Sequence, residues 1–210
     1  MLAALAIVIA LGLLTARAPS RGGALWRREP SGGTPEERLA WLSTHEAGHA
    51  VIAWHCPVVG SVTDMIIEPT RGGDALWQGR VLHDWSAPPE TRRAWDIVIA
   101  LAGLSAEMLC YGQVRTLLLR DLDEALAAAR SFCRQGGSWT LCVAQVGPPM
   151  PFTVRCTDAE ALVLGRAWAT AYALLAYHRE AHARLAAIIA VRRRLNDAEL
   201  AAILGPKVRA

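Results

Sequence analysis

A mainly α domain with one small β-hairpin, preceded by an apolar N-terminal segment, is the fold this sequence predicts, and three observations predict it. Two capping boxes, Thr34-Pro35-Glu36-Glu37 and Thr157-Asp158-Ala159-Glu160, open long runs with apolar residues at helical spacing. Two β-type runs, Ser61 to Glu68 and Leu76 to His83, flank the turn-like Thr70-Arg71-Gly72-Gly73-Asp74. Leu2 to Thr15 is wholly apolar or small, after which the chain turns abruptly to Arg, Gly, Pro and Ser. With 210 residues there is room for one domain of ordinary size and a short appendage.

In chain order, residues 1–16 read as a membrane anchor or signal segment. At 1.5 Å per residue the apolar run spans about 21 Å, short of a hydrocarbon core of roughly 30 Å. Arg17, Arg21, Arg27 and Arg28 follow it closely, and positive flanks stay in the cytoplasm. The reading is therefore an anchor with the body facing the cytoplasm; export after signal cleavage is the alternative, although Ala16-Arg17-Ala18 runs straight into Pro19. Residues 17–33 read as a flexible tether, and the domain spans 34–210.

The first helix runs from the Thr34 cap to Cys56-Pro57 and carries Leu39, Leu42, Ala50, Val51 and Ile52 as apolar positions. The hairpin follows. Ser86-Ala87-Pro88-Pro89-Glu90 caps a second helix to about Tyr111, with Gly112 as its stop. A third helix begins near Arg120-Asp121 and ends at Gly136-Gly137; residues 138–151 are irregular. The second capping box opens one long Ala/Leu helix to about Arg192, and Asn196 to Glu199 opens a short last helix to Gly205-Pro206.

Composition excludes some functions. A net charge of +3, with its arginines clustered near the N-terminus and at Arg192, Arg193 and Arg194, implies no nucleic-acid surface. The five cysteines, Cys56, Cys110, Cys133, Cys142 and Cys156, are an odd number without C-x-x-C spacing, which fits a reduced compartment. Cys142 with Cys156 would be the pair to bridge in an exported protein.

The chemistry is in His45-Glu46-Ala47-Gly48-His49. Residues four apart share a helix face, so both imidazoles can reach one zinc ion. Glu46, at the edge of that face, can hold a water, take its proton and pass it to a leaving amine. Catalytic zinc needs a third protein ligand, and His83, His178, His182, Asp121, Asp123 and Glu107 are all available; spacing does not choose among them. His178 and His182 repeat the four-residue spacing, but Arg179, Glu180 and Arg184 around them suggest an exposed helix face. His55 points away from the His45/His49 face, and Glu107 reads as a core or ligand-orienting residue. The eight tryptophans are assigned packing roles.

From about Glu36 to Leu204 the sequence resembles the peptidase domain of the FtsH-like family of membrane-bound, ATP-dependent zinc proteases. His45-Glu46-Ala47-Gly48-His49-Ala50 has that family's form of the zinc motif, and Ile66-Ile67-Glu68-Pro69 with Gly72-Gly73 is similar to its strand and turn. Leu101-Ala102-Gly103-Leu104-Ser105-Ala106-Glu107 resembles its Gly-Arg-Ala-Ala-Glu helix, with Leu104 where the arginine stands. Tyr111-Gly112, Thr116, Asp121-Leu122 and Ala125 follow at the spacing of the segment that supplies an aspartate ligand, which the resemblance puts at Asp121. Leu117-Leu118-Leu119-Arg120 replaces the Gly-Ala and Asn expected before it.

The resemblance implies a helical zinc-metallopeptidase domain, with His45, His49 and Asp121 as zinc ligands and Glu46 as general base. It implies protein or peptide substrates and permits a homo-oligomer or a separate ATPase partner. No Gly-x-x-x-x-Gly-Lys-Ser/Thr phosphate loop occurs in the 210 residues, so the expected substrates are unfolded or loose segments cleaved without ATP. The competing expectation is a catalytically silent scaffold that binds a protein partner; the intact Glu46 speaks against it.

Overall fold

The first capping box closes: the Glu37 N–H donates to Thr34 Oγ1 at 3.2 Å, and the Thr34 N–H donates to Glu37 Oε2 at 2.9 Å. It opens α1, Pro35–His55. The computed structural model describes residues 33–69, 77–114, 119–137, 148–151 and 154–207. The apolar segment 1–16, the tether up to residue 32, the turn 70–76, residues 138–147 and, with them, Cys142 lie outside the described residues. The four described cysteines are all free.

Two strands follow α1, β1 at Val59–Pro69 and β2 at Trp77–Trp85, paired antiparallel. Next come α2 at Pro89–Ala100, α3 at Ala102–Tyr111, α4 at Leu119–Arg134, α5 at Asp158–Tyr177 and α6 at Arg179–Arg192. The chain ends in β3, Arg194–Asn196, and α7, Asp197–Leu204. The fold is mainly helical, as the capping signals predict, with one small sheet of order β2-β1-β3. The third strand extends the predicted hairpin. Three residues are too few to leave a periodic signal, and β3 is held instead by pairing Leu195 with Met65 and by the 2.8 Å ion pair from Arg194 to Asp64.

Burial explains why α1 sits at the centre. From Leu39 to Trp54 nearly every side chain is buried, so the helix needs partners all round rather than on one stripe. It packs on α3, α6 and the sheet, whose inner face supplies Val62, Met65 and Ile67. Lys207 Nζ closes its C-terminal end, donating to the carbonyls of Ala53 at 3.0 Å and Trp54 at 2.8 Å, where the helix dipole favours a cation.

Two predicted helices are broken in the structure. The helix expected from Ser86 to Tyr111 divides at Leu101, which is buried with φ −86° and ψ −4°. Its start is at Pro88 with no side-chain cap, because the Ser86 N–H donates to Val58 O and ties the residue to the sheet. The long helix expected to Arg192 divides at His178, with φ −96° and ψ 23°. Neither break has a Pro or Gly at the dividing residue, so tertiary packing sets both, and apolar periodicity runs through them unmarked.

Candidate metal centre

His45 and His49 lie one turn apart on the buried part of α1, and Asp121 reaches them from the first turn of α4, where a helix N-terminus favours a carboxylate. His45 Nε2 is 2.6 Å from Asp121 Oδ2, His49 Nε2 is 3.3 Å from the same oxygen, and the two Nε2 atoms are 3.0 Å apart. Among the described residues this is the group whose ligand atoms converge within 4.8 Å. Of the candidates left open by spacing, the structure brings Asp121 to the two histidines. Asp123, two residues on, is exposed. His83 lines the adjoining cleft but is not in the cluster.

The second ring nitrogens decide which atoms face the centre. His45 Nδ1 is 2.7 Å from Glu107 Oε1, and His49 Nδ1 is 2.8 Å from the Ile99 carbonyl. A carboxylate and a carbonyl accept, so both Nδ1 atoms carry the proton and both Nε2 atoms present lone pairs. Two imidazole lone pairs and a carboxylate oxygen therefore converge on one small space. Three acceptors that close need a cation or protons between them, and two nitrogens with one carboxylate are a zinc-type donor set. The residues fit the ion that the motif implies.

Without an ion, protons fill the space. Burial alone would push the His45 imidazole down, but its hydrogen bonds to Asp121 and Glu107 outweigh this and raise it to about 10. His49 is raised too; burial opposes the shift, and the Asp121 hydrogen bond drives it. Burial works to raise Asp121, yet the two imidazoles hold its carboxyl well below the usual range. Glu46 lies beside the cluster, only 5% exposed; burial raises its pKa, and His49 and His45 pull the other way. A carboxylate so placed takes up a proton more readily than one in water, which is the property a general base at neutral pH needs.

The fold makes specific room for this group. The Ile99 carbonyl lies in the last turn of α2, before the break at Leu101, and accepts from His49. A Cβ on Gly103 would lie 2.2 Å from His45 Nε2, so α3 can pass the imidazole only with glycine there. Glu107, one turn further along α3 and fully buried, then orients the same ring. Beside the centre opens a cleft of about 610 Å³, lined by Glu46, His49 and Asp121 together with Val81, His83 and Trp85 of β2.

The remaining histidines serve packing. His182 is buried, not on an exposed face: its Nε2 donates to the Thr44 carbonyl at 2.9 Å, and its Nδ1 is 3.9 Å from Cys110 Sγ. The charged neighbours that suggested exposure point outward while His182 packs behind α1. His178 stacks on His55 with ring centroids 3.7 Å apart. Two glycines that shape the site, Gly79 and Gly103, were not singled out for this from the sequence. Gly79 had left a signal, because an isolated glycine in a strand marks a bulge or a close approach.

No protein-family model matches the chain. It is 33% identical over 115 residues to the ATP-dependent zinc metalloprotease FtsH of Marinobacter nauticus, a match covering 55% of this chain and 17% of that protein. It is 29% identical over 178 residues to ATP-dependent zinc metalloprotease FtsH 3 of Sphaerobacter thermophilus, covering 79% of this chain and 35% of the relative. A third relative, FtsH of Ralstonia pickettii, is 33% identical over 110 residues. The chain thus spans no more than 35% of the length of these curated relatives.

Proposed function

We propose that the chain is a zinc-dependent endopeptidase that hydrolyses peptide bonds in unfolded or loose protein segments. The observation behind the reading is the convergence of two imidazole lone pairs and one carboxylate oxygen beside a buried glutamate. His45, His49 and Asp121 would hold the ion. Bound there, zinc supplies Lewis acidity, lowering the pKa of a water toward neutrality and polarising the scissile carbonyl. Glu46 takes the water's proton and returns it to the departing amine; Glu107 and the Ile99 carbonyl fix the ligand rings.

The sheet supports a way of holding substrate. The Ile67 N–H donates to the Arg193 carbonyl, away from β2, and Ile67 stands opposite Gly79. In an antiparallel ladder, opposite residues either exchange both bonds or both point outward. Gly79, and with it Trp77 and Val81, therefore turns its N–H and C=O to the outer edge of β2, next to Glu46. An extended peptide pairing there is gripped by its backbone, with no sequence demanded. The proposed reaction is hydrolysis of a peptide bond, a step that itself consumes no nucleotide. In this reading residues 34–210 form the catalytic body and residues 1–16 tether it to a membrane, facing the cytoplasm.

The test is zinc content together with cleavage of an unfolded casein-type substrate by the chain, alongside Glu46→Gln and Asp121→Ala. One zinc per chain is expected, with cleavage reduced about a thousandfold in Glu46→Gln while zinc is kept, and zinc weakened in Asp121→Ala. Zinc without cleavage would favour a silent scaffold that binds a protein partner. Absence of zinc would end the reading.

A further inference from the structure

Strand β2 reads Trp-Gln-Gly-Arg-Val-Leu-His-Asp-Trp, with strand formers such as Trp77, Val81 and Trp85 and one glycine at its third position. A glycine there weakens a strand, so something must exclude a side chain. An ideal Cβ on Gly79 would lie 2.3 Å from Glu46 Cγ and 2.4 Å from both Cδ and Oε1. No other glycine among the described residues comes this close to Glu46; Gly60 on β1, for comparison, would place its Cβ no nearer than 3.5 Å to anything. Gly79 stands opposite Ile67, whose side chain is buried toward α1, so the missing side chain would project inward onto the carboxyl.

We infer that Gly79 is a positioning residue that seats the Glu46 carboxyl: the bare backbone of β2 lies against the glutamate where both line the cleft, and fixes where its oxygens lie. The inference rests on the role proposed for Glu46. The neighbours that a new side chain would meet are the far end of a flexible side chain, not backbone. A methyl at residue 79 therefore displaces the carboxyl rather than the fold. Relief to ordinary contact needs a shift of about 1 Å, and a misplacement of that size costs on the order of a hundredfold in rate. His45, His49 and Asp121 are held by α1, α2, α3 and α4, so the metal ligands stay where they are.

The experiment compares the full chain with Gly79→Ala, Gly60→Ala, Glu46→Ala and the double variant Gly79→Ala/Glu46→Ala, all loaded with zinc. For cleavage of an unfolded peptide, Gly79→Ala should keep one zinc and a KM within about threefold while kcat falls about a hundredfold; Gly60→Ala should leave all three unchanged. Urea unfolding is read in parallel and needs no catalysis. Gly79→Ala should lower the midpoint in the natural background and leave it unchanged in Glu46→Ala, where the atoms it would meet are gone. An unchanged kcat, a kcat loss accompanied by zinc loss, or equal destabilisation in both backgrounds would each overturn the inference. If the natural chain cleaves nothing yet the unfolding coupling is present, the peptidase reading fails while the seating of Glu46 by Gly79 stands.

Discussion

The chain carries two histidine pairs at the same four-residue spacing, and the structure uses them in opposite ways. His45 and His49 lie on one unbroken helix, and their Nε2 atoms come within 3.0 Å of each other. His178 and His182 straddle the break between α5 and α6, so His178 stacks on His55 while His182 turns inward to the Thr44 carbonyl. Spacing is thus a condition on a continuous helix, not on a sequence. A second difference is the company. The first pair has Asp121 at the centre and Glu107 behind it; His182 has a backbone carbonyl and the neutral thiol of Cys110, whose pKa is pushed up chiefly by burial.

The sharpest way to break this comparison is to remove one member of each pair. His49→Ala should weaken zinc binding by at least a hundredfold in a competition titration with a chelator, because a three-ligand site loses a third of its donors. His182→Ala should leave zinc affinity within about twofold while lowering stability by about 1–3 kcal/mol, since a buried side chain and its hydrogen bond to the Thr44 carbonyl are lost together. Zinc loss from His182→Ala at unchanged stability would show that the second pair also holds metal. A smaller effect is expected at Glu107→Gln. The amide can still accept from His45 Nδ1 but no longer as an anion, so zinc affinity should fall about 10–100-fold, with the ion retained at saturating concentration.

The same contrast explains how much was legible in the sequence. His45, Glu46 and His49 could be read because caps and burial both agree on one helix from Thr34 to Cys56. The hairpin and the helix of Leu122, Ala125, Leu126, Ala129 and Phe132 were legible from periodicity, and of those five residues all but the half-buried Leu126 are buried. Asp121 was not legible from spacing, since its approach depends on how α4 crosses α1; only a family resemblance pointed to it. The breaks at Leu101 and His178 were invisible because no Pro or Gly occupies them, and His182 was misjudged because its charged neighbours outweighed its own packing. An isolated glycine such as Gly79 in a strand marks a bulge or a close approach without naming what approaches. Its reason lies 33 positions away, in a carboxyl that periodicity cannot associate with it.

The two pairs also titrate in opposite directions, which gives the metal-free chain a distinctive pH profile. His45 is raised from 6.5 to about 10, so the stability it contributes is fully present below pH 6.5 and is lost as pH climbs through 10. His49 adds to this limb in the same direction. His182 is lowered chiefly by burial, and His55 is lowered to about 4 by burial with His178 and Lys207 beside it. What these contribute is present above 6.5 and lost as pH falls toward 4, because the unfolded chain takes up protons that the folded one refuses. Thermal unfolding of the chelator-treated chain should therefore peak near pH 6.5 and decline on both sides. Zinc bound as proposed would replace the protons between the Nε2 atoms and Asp121, so loading the chain should abolish the alkaline decline and steepen the acid one. His182→Ala should remove part of the acid limb alone. An alkaline decline that survives zinc loading would mean that the ion does not sit where those protons were.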